Sequence, residues 1–142
     1  MTIARLIEGR SGEIVCCETS TLVSEAVALL AQRRIGALPV RSQGKVVGIF
    51  SERDVIYQLE AQGAGVLHRQ VGEVMTSPPV TVTPDTPVLS ALALMTRRRM
   101  RHLPVLAEGR MVAFISIGDL VKHRIDRIES EAEAMRAYIQ AA

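Results

Sequence analysis

Ile35-Gly36-Ala37-Leu38-Pro39-Val40 recurs as Met100-Arg101-His102-Leu103-Pro104-Val105, an offset of 65 residues. The same offset carries Gly44-Lys45-Val46-Val47 onto Gly109-Arg110-Met111-Val112. It also carries Ser51-Glu52-Arg53-Asp54 onto Ser116-Ile117-Gly118-Asp119. The register holds without a gap from residue 15 to 58 against 80 to 123, with 15 identities in those 44 positions. Proline, glycine, serine and aspartate coincide together, so the chain is an internal duplication, and a duplication decides the fold.

Each copy reads as β-α-β-β-α. A short β segment opens it, at residues 14–17 and again at 80–82. A helix follows. Its apolar positions Val23, Ala26, Val27 and Leu30, and then Val88, Ala91, Leu92 and Met95, fall at helical spacing. Ser20 or Thr21 in the first copy, and Asp85 or Thr86 in the second, are the expected N-caps, with Pro87 in the first turn. Buried strands are expected at residues 38–41 and 103–106. Ser42-Gln43-Gly44 and Ala107-Glu108-Gly109 turn the chain back into strands at 46–50 and 111–115. Second helices open at Ser51 and Ser116. The expected organisation is a first repeat with its N-terminal segment over residues 1–62, a connection at 63–79 and a second repeat at 80–124. A helical extension follows at 125–142. The extension carries Val121, Ile125, Ile128, Ala132, Met135 and Ile139 at spacings of four and three, a heptad-like stripe. Its own domain and a second subunit are equal candidates to cover it.

Composition excludes several classes. The 142 residues are 48% hydrophobic and 23% charged, a core-forming balance for about one ordinary domain. The apolar runs are about five residues, far short of the roughly 20 a membrane span needs. No basic start followed by a long apolar stretch marks a signal peptide, and a cytoplasmic location is expected. Cys16 and Cys17 are adjacent, so no disulfide framework or four-cysteine zinc site is expected. They are read as small hydrophobes on a core strand. His68 and His123 have no metal-ligand spacing. A net charge of +2 and 3% aromatics do not call for nucleic acid. No nucleophile turn with a positioned histidine is present, so no enzyme activity is expected.

On the quoted elements the chain resembles a tandem pair of cystathionine-β-synthase-type (CBS) domains of the small stand-alone bacterial type. The resemblance spans roughly residues 10–125. It implies an α/β (α+β) fold in which two repeats pack about a pseudo-twofold. It further implies a regulatory module that binds an adenine nucleotide such as AMP, ATP or NAD between the repeats. A homodimer and a regulated protein partner are implied as well.

The resemblance assigns site residues by motif. One cleft would use Val15, Ile35, Gly36 and Ala37 with Ser116, Asp119, Arg101 and His102. The other would use Val80, Met100, Arg101 and His102 with Ser51, Arg53 and Asp54. The aspartates would accept from ribose hydroxyls, which suits an acceptor-only group. Ser51 and Ser116 lie where a strand enters a helix, where free N–H groups favour an anion. A bland reading stands beside this one, since serine with an acid three residues on is a capping box variant. Repeat two has Arg101-His102 where repeat one has Gly36-Ala37, and Gly118 where repeat one has Arg53, so unequal clefts are expected. Arg97, Arg98 and Arg99 read first as a solvated helix end favoured by the helix dipole. The competing function is an interaction protein whose clefts stay empty.

Overall fold

The computed structural model describes residues 1–10 and 12–141. Its elements are α1 (Ile3–Ile7), β1 (Cys17–Glu18), α2 (Val23–Arg33), β2 (Ala37–Ser42), β3 (Lys45–Ser51) and α3 (Glu52–Gln62). A 3-10 turn (Ala64–His68) and α4 (Val71–Val74) follow. The second half holds α5 (Val88–Arg98), β4 (His102–Ala107), β5 (Arg110–Ser116) and α6 (Ile117–Ala141).

The two hairpins match at every level. In β2–β3, Leu38 faces Phe50; in β4–β5, Leu103 faces Ile115. Both ladders slip at one point, between Val40 and Arg41 and between Val105 and Leu106. Gln43-Gly44 and Glu108-Gly109 turn with positive φ at both residues, the conformation a two-residue hairpin loop requires. The opening β segments are shorter than the sequence predicts. In the first repeat only Cys17–Glu18 pairs, parallel to β2. In the second, Val82 makes a single parallel bridge to Val105.

The helix starts depart from expectation. The N-caps of α2 and α5 are Leu22 and Pro87, and neither makes a side-chain cap bond. Thr21 and Thr86 instead accept from the backbone N–H of Glu18 and Thr83, which closes the turn before each helix. The free N–H groups go to chain segments from elsewhere. Val23 N–H donates to the Arg69 carbonyl at 2.9 Å, and Val88 N–H to the Met1 carbonyl at 3.0 Å. These backbone bonds do what a side-chain cap would otherwise do.

Two cores result. One gathers Val23, Ala26, Leu30, Leu38 and Phe50, closed by Val66, Val71 and Val74 from the connection. The other gathers Val88, Ala91, Met95, Leu103 and Ile115, closed by Ile3 from α1 and Leu120 from α6. The N-terminal segment thus completes the core of the second repeat. β3 and β5 lie against each other across the pseudo-twofold.

α6 leaves its apolar stripe uncovered. Leu120 is fully buried, and His123 and Arg127 turn toward the chain. Val121, Ile125, Ile128, Met135 and Ile139 are 44–65% exposed. Among the described residues, no helix is long and apolar enough to cross a membrane.

Candidate functional site: two clefts between the repeats

Both serine–aspartate elements are capping boxes. Asp54 Oδ2 accepts from the Ser51 N–H at 2.8 Å and from the Ser51 hydroxyl at 3.1 Å, and the Asp54 N–H donates back to Ser51 Oγ. Asp119 Oδ2 accepts from the Ser116 N–H at 2.9 Å, and its own N–H donates to Ser116 Oγ. The bland reading is therefore realised twice. It leaves the second carboxylate oxygen of each aspartate for other work, and here the repeats differ. Asp54 Oδ1 accepts from the Thr76 hydroxyl at 2.9 Å. Asp119 Oδ1 faces Arg10 Nη2 at 3.3 Å.

The larger cleft, about 830 Å³, joins Ser51, Arg53 and Asp54 of the first repeat to Met100, Arg101 and His102 of the second. That is the second residue set expected from sequence, except for Val80, which packs against the second core. The smaller cleft, about 660 Å³, brings Ile35 and Gly36 to Ser116, Arg101 and His102. Asp119 is not on its wall. Ala37 lines the larger cleft, and Val15 packs against the first core. The two clefts share Gly36, Glu52, Arg101, His102 and Ile117.

That shared wall is where the repeats meet. Arg101 and Glu52 pair across it at 3.2 Å. Both side chains are about half exposed, so the pair contributes little, on the order of 0.2–1 kcal/mol. Gly36 leaves room for the His102 ring: a Cβ there would sit 3.4 Å from His102 Cε1. The ring also stacks on Phe114, centroids 5.5 Å apart.

Burial, and then the neighbouring Arg101 charge, holds His102 below the ordinary histidine pKa. The neutral ring is favoured in the fold, so the unfolded chain binds the proton more readily. Stability therefore falls as the pH drops below about 6.5. In urea titrations at stepped pH, His102→Gln should flatten that part of the profile. An identical slope in the variant would show that His102 carries none of it.

Arg98 and Arg99 also line the larger cleft, together with Thr76 and Tyr57. The sequence reading left them on a solvated helix end. A signal was present: Arg33-Arg34 and Arg98-Arg99 coincide at the repeat offset, and Arg34 lines the smaller cleft. Arg34 and Arg99 both hold positive φ at the exits of α2 and α5, which aims the chain from each helix toward a cleft. Thr76 had no such signal. Burial raises the Cys17 thiol to about 11 and raises Cys16 as well, in keeping with packing rather than reactivity.

Comparison with known proteins follows the same lines. The family model of the CBS domain matches residues 10–61 and 71–126. The mitochondrial CBS domain-containing protein CBSX3 of Arabidopsis thaliana is 37% identical over 134 residues, covering 91% of this chain. The chain spans 65% of the length of that relative. A putative signal-transduction protein with CBS domains from Burkholderia ambifaria is 36% identical with a TM-score of 0.83, covering 89% of this chain and 95% of that one. The crystal structure of CBSX2 in complex with AMP is 25% identical with a TM-score of 0.74, covering 88% of this chain and 96% of that one. With a family model on each repeat and the fold shared over nearly nine-tenths of its length, this chain belongs to the CBS-domain family.

Proposed function

We propose that this chain is a regulatory, non-catalytic module of the cytosol that binds an adenosine-containing nucleotide in the larger cleft and signals through a homodimer. The observation that carries the reading is the junction of Ser51, Arg53 and Asp54 with Met100, Arg101 and His102 in one cleft. An ionised carboxylate offers roughly four acceptor positions, and Asp54 has three donors. Exchange of the Thr76 hydroxyl for ribose hydroxyls would let Asp54 hold a sugar without losing the helix cap. Ile49 and Met95 supply apolar wall for a base. The AMP held by CBSX2 supports the ligand class. The smaller cleft is the weaker site, because Arg10 already occupies Asp119.

The dimer rests on the uncovered stripe of α6 and on Ile56 and Leu59 of α3, which are 61% and 39% exposed. Apolar patches of that extent on a monomer usually mark an interface.

Calorimetric titration with AMP, ATP and NAD tests the binding. Asp54→Ala should weaken the best ligand by about 10- to 100-fold, since a hydrogen bond to a charged group is worth roughly 1.5–3 kcal/mol. The lost cap should also cost about 1 kcal/mol of stability. No heat from any of the three at millimolar ligand would end the nucleotide reading. Light scattering on the same samples tests the dimer, and a strictly 15.5 kDa species would end it.

A further inference from the structure

The apolar stripe of α6 lies across the helix from the body that carries it. Leu120 is fully buried, and His123 and Arg127 are half-buried. His123, Arg127, Ser130 and Ala134 line a groove of about 420 Å³ together with Met1 and Arg5. In heptad terms this inward face is positions c and f. Positions a (Ile125, Ala132, Ile139) and d (Val121, Ile128, Met135) are on the opposite side, and five of these six residues are 44–65% exposed. The chain's own body is therefore not what covers the stripe.

The flanks of the stripe carry charge that fits a second copy in one orientation. Position e holds Lys122, Glu129 and Arg136, and position g holds Arg124, Glu131 and Tyr138. In a parallel, in-register pair each g residue faces the e position of the next heptad in the partner. Arg124 then meets the partner's Glu129, and Glu131 meets the partner's Arg136. Twofold symmetry makes these two opposite-charge contacts four. Glu131 Oε1 already accepts from Arg127 Nε at 3.2 Å, which leaves Oε2 for the partner. The antiparallel register that buries the whole stripe sets Ile125 against Met135. It puts Glu129 on Glu129, Glu131 on Glu131 and Lys122 against Arg136, all like charges. An antiparallel pair shifted by one heptad recovers opposite charges but leaves Met135 and Ile139 uncovered.

We infer that α6 pairs, parallel and in register, with α6 of a second copy of this chain over residues 121–139. This rests on the homodimer reading above and adds to it an orientation and the residues that set it, Glu131 and Arg136 among them. Burial of the stripe supplies the attraction. The charges choose the orientation, because solvated ion pairs contribute too little to hold two chains together. The stripe covers fewer than three heptads, so the pairing extends an interface of the two bodies and is not a freestanding coiled coil. Ile117, in the first turn of α6, lines both clefts, so the paired helix begins at the candidate ligand site.

Sedimentation equilibrium of the full chain and of two charge variants tests it, in low-salt buffer where surface charges are least screened. Glu131→Arg and Arg136→Glu should each weaken the dimer on the order of tenfold, since each turns two attractive contacts into repulsive ones. An equimolar mixture of the two variants should return to wild-type affinity, because the mixed pair has opposite charges at both contacts. Mixing cannot undo an effect within one helix, such as loss of the Arg127 pair in Glu131→Arg, so the recovery reports contact between chains. Circular dichroism should show both variants folded. The antiparallel arrangements give other outcomes. In the full register Arg136→Glu tightens the dimer by facing the partner's Lys122, and in the shifted register it changes nothing. Either result overturns the inference, as does a mixture that binds no tighter than its components. A dimer that neither substitution weakens leaves the homodimer reading standing on α3 without the α6 pairing. A wild-type chain that stays at 15.5 kDa, or assembles as three or more copies, ends both.

Discussion

Phe50→Ala lowers the unfolding free energy by about 3–5 kcal/mol, the range for truncating a fully buried large aromatic side chain. Phe50 is 0% exposed, faces Leu38 across the hairpin and packs with Val23, Ala26 and Val71. These neighbours sit on three different elements, β2, α2 and α4, so no single shift can refill the space. The loss is large against the 5–15 kcal/mol of a typical domain. In urea the midpoint should fall by about 1 M or more, given slopes of about 1–3 kcal/mol per molar. Leu89→Ala is the control: Leu89 is 59% exposed and should cost no more than about 0.5 kcal/mol. A Phe50→Ala loss under about 1 kcal/mol would show that the first core collapses around the gap.

The hairpins, the main helices and the serine–aspartate elements were legible because each writes itself twice. Gly44 and Gly109 mark the turns, Leu38 and Leu103 the buried face, and Ser51 and Ser116 the helix starts. What was not legible is the closure of each repeat by distant chain. Val71 and Gly72 donate to the carbonyls of Thr21 and Thr19, while Ile3 and Ala4 donate to those of Thr86 and Pro84. The two closures are alike in geometry, yet their donor residues, Val71-Gly72 and Ile3-Ala4, stand 68 positions apart instead of 65 and share no residue type. Backbone-to-backbone bonds leave no side-chain signature, so the duplication is visible in the structure and silent in the sequence there.

The site was legible to a similar depth. Motif positions assign Ser51, Asp54, Arg101 and His102 to one cleft, and the four line the same cleft in the structure. They also placed Asp119 in the second cleft, whereas the structure pairs it with Arg10. Arg10 precedes the repeated region, and nothing in its own neighbourhood pointed to a contact with residue 119. Arg98 and Arg99 were seen but read by the local rule of helix ends. That rule concerns a helix by itself. Their facing the first repeat depends on how the two halves pack.

Gly48→Val, also in β3, should cost about 3 kcal/mol and disturb the site as well. A Cβ at Gly48 would lie 2.6 Å from Met75 Sδ and 2.9 Å from the Thr76 carbonyl oxygen. The sulfur can swing away; the backbone oxygen cannot, because Thr76 is tied to Ile49 by two bonds, at 3.0 Å and 2.9 Å. Valine adds two methyl groups to that conflict. Overpacking alone costs about 1–3 kcal/mol, and loss of the paired bonds adds about 1 kcal/mol each. Displacing Thr76 also withdraws its hydroxyl from Asp54. The position related by the repeat is Ala113, where the side chain is already accommodated within the second core. Ala113→Val should therefore cost less, about 1 kcal/mol. Urea midpoints of the two variants, measured with nucleotide titrations, decide the matter. If Gly48→Val proved as stable as Ala113→Val, the Met75-Thr76 segment would be free to move off β3, and the hold of Thr76 on Asp54 would not be fixed by the fold.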